Sequence, residues 1–508
     1  MKNISINLEE YKKNAEEFLS SVDKEYYLHF SGLKPDLNVS EIYETYSDLF
    51  TVKNFNDLMQ LYNNAVKCGD EKQVKKLSYL LKFCGEGLLE SEAKEIIDEL
   101  GKVEAQTMID IEGKKVPFRF SEILLSNEED KQKRDLIDDK RNKITDDIFN
   151  PILKNYWQTL HSSVKKFGFN SYKDLLSFLK QEDFADLNLK MNYFLKQTDE
   201  IYEKHFGYIL KKQLGIDLNS SRKSDFAFLR RARKYDDYFK KEKLVEIFKA
   251  TLNNMGIDIE NQSNIIFDIE ERENKSPRAF CATVKIPLEI YLVVMPKGGQ
   301  DDFEAILHEG GHALHFANTK ESLDFEYKFL GDNAVTEGYA FCLEHLMQDK
   351  EWLKTFFNFS TEDAKEFVYF SNIIKLWYLR RYAGKLQYEL ILHDGSSLSG
   401  KDEKYKQILQ MANLMQYSSS DYLKDVDEAF YCTNYIRAWI FEAQLKDYIY
   451  RKYDYNWFKK KKAGYFLIEL FSYGQKYNPV EILKQLDYND LDIDFLTSSI
   501  KEEIIKNK

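Results

Sequence analysis

Residues 301–319 read DDFEAILHEGGHALHFANT, and the fold is read outward from them. His308, Glu309, Gly310, Gly311 and His312 form the pattern H-E-x-x-H. On an α-helix, residues four apart lie one above the other on the same face. His308 and His312 can therefore offer two imidazole nitrogens to one Zn²⁺ at about 2.0–2.1 Å. Glu309 falls on the adjacent face, where it reaches a water beside the ion without replacing a ligand. That arrangement suits metal-assisted hydrolysis.

The plain alternative is a pair of histidines on a helix face with Glu309 in solvent. The flanking sequence weighs against it. Pro296-Lys297-Gly298-Gly299 is a turn signal, and Asp301 and Asp302 suit an N-cap and first turn. Ala305, Ile306, Leu307, Ala313, Leu314 and Phe316 make the helix apolar over most of its surface, so it reads as buried. Buried histidines flanking a glutamate are costly without a partner. Histidine is also scarce, with 8 in 508 residues, which makes a chance match uncommon. A third protein ligand is needed if one position is to stay open for chemistry. Glu337, in GDNAVTEGYAFCLEHLM, is favoured over Glu321, Glu326, Glu344 and His345. Asp332 or Asn333 can cap a second helix, and the spacing 337 − 312 = 25 allows that helix to turn back beside the first. Glu344 lies seven residues further along the same face, where it could orient a ligating histidine from behind.

HEGGHALH with a glutamate at this distance resembles the thimet oligopeptidase and oligoendopeptidase F family of zinc metallopeptidases, the gluzincin type. Gly311 and His315 fill the two further positions of that family's H-E-x-G-H-x-x-H pattern, and the resemblance places His315 with Glu344 behind the metal ligands. Residues 275–281 (KSPRAFC) and 289–296 (EIYLVVMP) resemble the family's edge strand before the metal helix. The specific match covers residues 275–445. It implies a large, mainly α, two-lobed peptidase with a deep channel, a small β-sheet next to the zinc-binding helix, one Zn²⁺ per chain, and short peptide substrates.

Composition limits the other classes. A chain of 508 residues can bury a large core, and 43% hydrophobic with 15% aromatic residues is globular rather than disordered. Formal charge is 73 − 85 = −12, and the absence of a basic patch excludes nucleic acid as an expected partner. The start, MKNISINLEEYKKNAEE, carries early acids and no apolar run, so no signal peptide is expected. No apolar run approaches the ~18 residues of a membrane span, so no membrane partner is expected either. Five scattered cysteines without CxxC spacing read as free thiols in a reducing, cytoplasmic setting.

The chain reads as one oligopeptidase-like unit, 1–508, in three parts: an N-terminal helical lobe over 1–263, a zinc-binding catalytic core over 264–450, and C-terminal helices over 451–508. The first part carries helical spacing throughout, including one helix expected to run through ESEAKEIIDELGKVEAQTMIDIEG to Gly113. His29, His161 and His205 stand alone there and read as ordinary helix residues. Arg230–Lys243, the densest basic run, is broken by Asp236 and Asp237 and reads as a solvated face or channel wall. Residues 264–295 switch to short β-branched runs, NIIFDIEE and ATVKIPLEIYLVVM, whose edge could pair with an extended peptide.

Tyr431 and Tyr435 are i, i+4 on a later helix and point the same way, where phenols could donate to an oxyanion. The family carries tyrosines at this place, facing the metal. It also carries a histidine where Val426 stands, a third tyrosine where Ala438 stands, and a glycine-rich loop where Ser418-Ser419-Ser420 stands. The expected catalytic set is Glu309 as base with Tyr435 and Tyr431 as donors, and Tyr431, Tyr435 and Arg437 as substrate contacts. The expected function is internal cleavage of short peptides. A Taq-type carboxypeptidase-like or dipeptidase activity is the alternative, with Arg437 holding a free C-terminal carboxylate. A zinc-bound, non-catalytic peptide-binding protein is a further one.

Overall fold

The structure, a computed structural model, describes residues 6–508. The first five residues of the amino-terminal stretch read above lie outside that range. Eight of the helices frame the site. They are α1 (Leu8–Phe30), α2 (Glu71–Gln106), α3 (Phe184–Leu214), α4 (Gln300–Ala317), α5 (Asn333–Glu344), α6 (Thr361–Leu392), α7 (Tyr431–Tyr453) and α8 (Ile493–Asn507). The architecture is mainly α, and no helix of the described residues is long and apolar enough to cross a membrane. All five cysteines are free thiols.

Two small sheets interrupt the helices. Strands β1 (Met108–Ile111) and β2 (Lys114–Pro117) form an antiparallel hairpin. The helix expected to reach Gly113 therefore stops at Gln106. Ile109 is buried while Met108 and Asp110 are exposed, a period of two, and Glu112 and Gly113 both take positive φ (52° and 82°), the tight hairpin turn that a helix cannot contain. Strands β3 (Ile265–Asp268), β4 (Phe280–Lys285) and β5 (Glu289–Val293) form the second sheet in the order β3-β5-β4. β3 runs parallel to β5, with Ile265 opposite Ile290, and β4 runs antiparallel, with Phe280 opposite Val293. α1 covers one face of this sheet, where Tyr27 stacks on Tyr291 at 3.7 Å between ring centroids.

The core around the site is a stack of three helices, α4 on α5 on α7. Glycines set how closely they approach. A Cβ on Gly311 would lie 2.6 Å from the Cα of Ala340, a backbone atom that cannot swing aside, so α4 and α5 cross there nearly in backbone contact. Gly338, on the other face of α5, accommodates the Phe441 ring of α7, which would meet a Cβ at 2.3 Å. Caps place the helix starts: Asp332 accepts the Ala334 amide at the head of α5 (3.0 Å), and Asp302 accepts the amides of Lys297 (2.5 Å) and Gly298 (2.6 Å) in the turn before α4.

Candidate metal centre

α4 carries His308 and His312 one turn apart, and α5 brings Glu337 against them. The two Nε2 atoms stand 3.2 Å apart, and Glu337 Oε2 lies 3.4 Å from that of His308 and 3.7 Å from that of His312. Ligand atoms at 2.0–2.1 Å around a tetrahedral ion are about 3.4 Å from one another. Glu337 Oε2 is buried and has no hydrogen-bond partner, which is costly unless a cation completes it. Two imidazole nitrogens and one carboxylate oxygen, all within 4.8 Å of one another, fit a divalent metal of the borderline class.

The groups behind the ligands fix their orientation. Glu344 Oε2 lies 2.7 Å from His308 Nδ1, and its carboxyl is held below the usual range, burial opposing and the His308 bond prevailing. The carboxylate can only accept, so Nδ1 donates and Nε2 faces the triangle. Thr336 Oγ1 stands 2.8 Å from His312 Nδ1. Tyr431 donates to Glu337 Oε1 at 2.7 Å, which leaves Oε2 to face the two imidazoles. Burial draws the His312 imidazole down to about 4, so this ring is neutral at physiological pH and its lone pair is free. For His308 burial acts in the same direction, but Glu337 and Glu344 outweigh it and raise the ring well above its ordinary value.

Glu309 projects beside this triangle and is no member of it. Burial lifts its carboxyl to about 7; the nearby charges of Glu337 and Glu344 add to the rise, and His308 and the Cys281 amide of β4 oppose it. On the same edge of β4, Thr283 donates its amide (3.2 Å) and its hydroxyl (2.5 Å) to Asp23 of α1. The Cys281 and Thr283 amides of this edge strand thus face carboxylates.

Tyr431 and Tyr435 sit edge-on to each other, 5.1 Å between centroids, at the start of α7. Burial raises both phenols, with the Glu337 charge adding, so both stay protonated donors at neutral pH. The entry into α7 is bent: Ala429 and Phe430 both take left-handed φ (51° and 52°), a conformation that non-glycine residues adopt at a cost of order 1 kcal/mol. Lys180 holds the bend by donating to the carbonyls of Ala429 (3.3 Å) and Phe430 (3.0 Å) and to Thr433 Oγ1 (2.8 Å).

Two expected site residues stand elsewhere. Arg437 is not an open fork for substrate. Its guanidinium is committed to Glu182 Oε1 (2.6 Å) and to Asp332, the cap of α5. The reason is rotational: two residues after Tyr435, it points about 200° around the helix from that side chain. His315 does not hydrogen-bond to His308, His312 or Glu337. It is fully buried with its ring against Phe316, Tyr339 and Phe471, where burial drives it down to about 3 and keeps it neutral.

The structure also adds residues that sequence reading passed over. Arg230, from the basic run, turns inward and pairs with Asp301 (3.3 Å) and Glu304 (3.7 Å) on the first turns of α4. With Tyr378 and Tyr382 of α6 and with Tyr435 it lines a cavity of about 350 Å³ that also contains His308 and Glu309. A second cavity, of about 720 Å³, is lined by Tyr431 and by none of His308, Glu309, His312 and Glu337. The only sequence signal for Thr336 was its position one before Glu337. For Arg230 there was none beyond the run itself.

No family model matches the chain, and no curated protein sequence matches it. Solved structures do. A candidate oligoendopeptidase F from Bacillus anthracis str. Ames matches with a TM-score of 0.63 and 14% identity, over 99% of this chain and 96% of that one. The fold is that of oligoendopeptidase F. A second structure named as an oligoendopeptidase F matches at TM-score 0.68 and 15% identity, over 98% of this chain and 91% of that one. A candidate peptidase from Chlamydophila abortus matches at 0.67 and 13%, over 98% and 89%. These overlaps run nearly end to end, so the oligoendopeptidase F fold accounts for the small sheet and the α4–α5–α7 stack together rather than for the metal helix alone.

Proposed function

We propose that this chain is a zinc-dependent peptidase that hydrolyses internal bonds of short peptides, acting in the cytoplasm. The observation that carries the reading is the triangle of His308, His312 and Glu337 with Glu309 beside it, a cavity lined by His308 and Glu309, and a second lined by Tyr431. The peptidase names of the structural neighbours support it.

His308, His312 and Glu337 would hold the ion. A bound zinc supplies an acidified water and a Lewis acid for the scissile carbonyl. Glu309 accepts the proton of the attacking water and delivers it to the leaving amine, a task for which a carboxyl near 7 is matched. Tyr435, on the wall of the smaller cavity, donates to the developing oxyanion. Tyr431 holds Glu337 through Oε1 and so keeps Oε2 aimed at the ion. Glu344 does the same for His308. The two cavities accommodate peptide on both sides of the scissile bond, which favours internal cleavage. The commitment of Arg437 to Glu182 and Asp332 weighs against a carboxypeptidase that would use it to hold a free C-terminus.

The test is a defined peptide mixture incubated with the purified protein, with and without chelator, and read for cleavage positions by mass spectrometry. Wild type should cut internal bonds only when metal is present. Glu309→Gln should retain one metal per chain and lose roughly 10²–10⁴ in rate. Absence of metal after reconstitution, or equal rates for the variant, would refute the reading.

A further inference from the structure

The 720 Å³ cavity beyond Tyr431 has an unbalanced charge that the metal chemistry does not use. Its walls carry seven carboxylates and four cations. Each cation is already engaged: Arg437 with Glu182 and Asp332, Lys75 with Glu481, Lys82 with the Gly331 carbonyl (2.8 Å), and Lys180 with the bend before α7. Among the described residues no cation forms an ion pair with Glu86 or Glu90 of α2, or with Glu428 just before α7. Glu90 and Glu428 accept hydrogen bonds from phenols instead, Tyr43 to Glu90 and Tyr156 to Glu428, both at 2.6 Å.

Two independent features say that this charge awaits a ligand. Glu182, with 8% of its side chain exposed, lines the same cavity and keeps Oε2 buried without a partner although Oε1 holds Arg437. A buried acceptor left open is costly unless a donor fills it. The three free acids also oppose one another. Glu90 is exposed on the cavity wall, yet desolvation by the surrounding walls raises its carboxyl to about 7, and the charges of Glu86 and Glu428 add to the rise. Burial raises Glu86 as well, with Glu182 adding and Lys82 and Lys180 opposing. A cation entering this space would relieve the repulsion and satisfy the open oxygen together.

We infer that this cavity is a cation-selective subsite of the peptide channel, in which Glu86, Glu90, Glu428 and Glu182 receive an alkylammonium or guanidinium group of the substrate. The inference rests on the peptide reading of the metal site and adds a preference to it. The charge has two possible sources with the same chemistry, a lysine or arginine side chain and the free N-terminal ammonium of the peptide. Tyr431 forms the boundary between the cavity and Glu337, so a residue seated in the cavity belongs to the segment next to the scissile bond.

The experiment measures equilibrium binding of peptides to the metal-loaded Glu309→Gln variant by calorimetry, so that it does not depend on turnover. One peptide carries a lysine and an acetylated N-terminus. The second carries acetyl-lysine in its place, and the third has a free N-terminus and no lysine. At least one cationic peptide should bind about tenfold or more tightly than the doubly acetylated one. Adding Glu90→Gln with Glu428→Gln should remove most of that ratio, and Glu90→Lys should invert it toward a glutamate peptide. Thermal melting of each variant controls for folding. Preference for the lysine peptide identifies a side-chain subsite, and preference for the free terminus identifies an amino-terminal one. Equal binding of all three peptides, or a ratio unaffected by the substitutions, overturns the inference. Cation-selective binding by a protein that cleaves nothing would retain this subsite and remove the peptidase reading, so the two failures are distinguishable.

Discussion

The orientation of the His308 ring depends on Glu344. With Nδ1 anchored at 2.7 Å on the carboxylate, the imidazole has one tautomer and one ring orientation, and its basicity rises. Glutamine at this position retains size but lacks the charge. Glu344→Gln is therefore expected to weaken metal affinity by roughly 10–100-fold, with a smaller change in fold stability. Competition with a chromogenic chelator measures it; unchanged affinity would mean that Glu337 and Tyr431 orient the site without Glu344. The same reasoning separates the two tyrosines. Tyr431 is hydrogen-bonded to Glu337, and Tyr435 lines the cavity that Glu309 also lines.

At the scale of elements, the triangle exists because three helices pack closely at defined points. Gly311→Ala would place a methyl group 2.6 Å from a backbone carbon of α5, and relief requires the helices that carry His308, His312 and Glu337 to separate. The expected cost is about 1–3 kcal/mol of stability together with a marked loss of metal binding, read from thermal melts and metal content. A variant that melted lower yet bound metal as wild type would show that α5 yields as a rigid unit. Arg437 ties the head of α5 to α7 and to Glu182. Arg437→Met leaves the Asp332 carboxylate without its ion pair and Glu182 with Lys180 alone, at 3.8 Å, and about 3–5 kcal/mol should be lost. Peptides with free and amidated C-termini should be affected alike, measured as kcat/KM on matched pairs. A selective loss on the free acids would restore the carboxypeptidase reading.

At the scale of the whole molecule, buried carboxyls set the pH range of stability. Glu389 lies fully buried on α6, where burial lifts its carboxyl from 4.5 to about 8 although Lys385 opposes the rise. Between those values the folded chain holds a proton that the unfolded chain has released, so this group favours folding below about 4.5, and its contribution is lost progressively as pH rises to about 8. Glu442 has the opposite sign. Burial raises it, but Lys375 and His345 prevail and hold it below the usual range, so its contribution is present above the ordinary glutamate pKa and is lost as pH falls. The molecule should therefore be most stable in mildly acidic solution. Glu389→Gln should show little difference from wild type near pH 5 and a relative gain by pH 8–9, followed by chemical denaturation across that range. A constant difference at all pH values would mean that Glu389 does not titrate with folding.

Local periodicity made much of this protein legible. His308, Glu309 and His312 are related by a single helical turn, and Glu337 by a capped helix whose cap and face are written in GDNAVTEGYA, so their convergence follows from spacing and burial. The long helices and the change of period over residues 264–295 were readable for the same reason. The hairpin over residues 108–117 was not, because its short alternation follows directly on a 36-residue helix and only the left-handed turn at Glu112-Gly113 separates the two. Helical spacing placed Arg437 away from Tyr435, but the carboxylates that claim it lie at positions 182 and 332. The same holds for the acidic wall of Glu86, Glu90 and Glu428, contributed by distant parts of the chain. Sequence determines contacts within a turn or two of helix because backbone geometry relates those residues directly. Which charges share a cavity depends on how whole helices pack, and only the tertiary structure decided it.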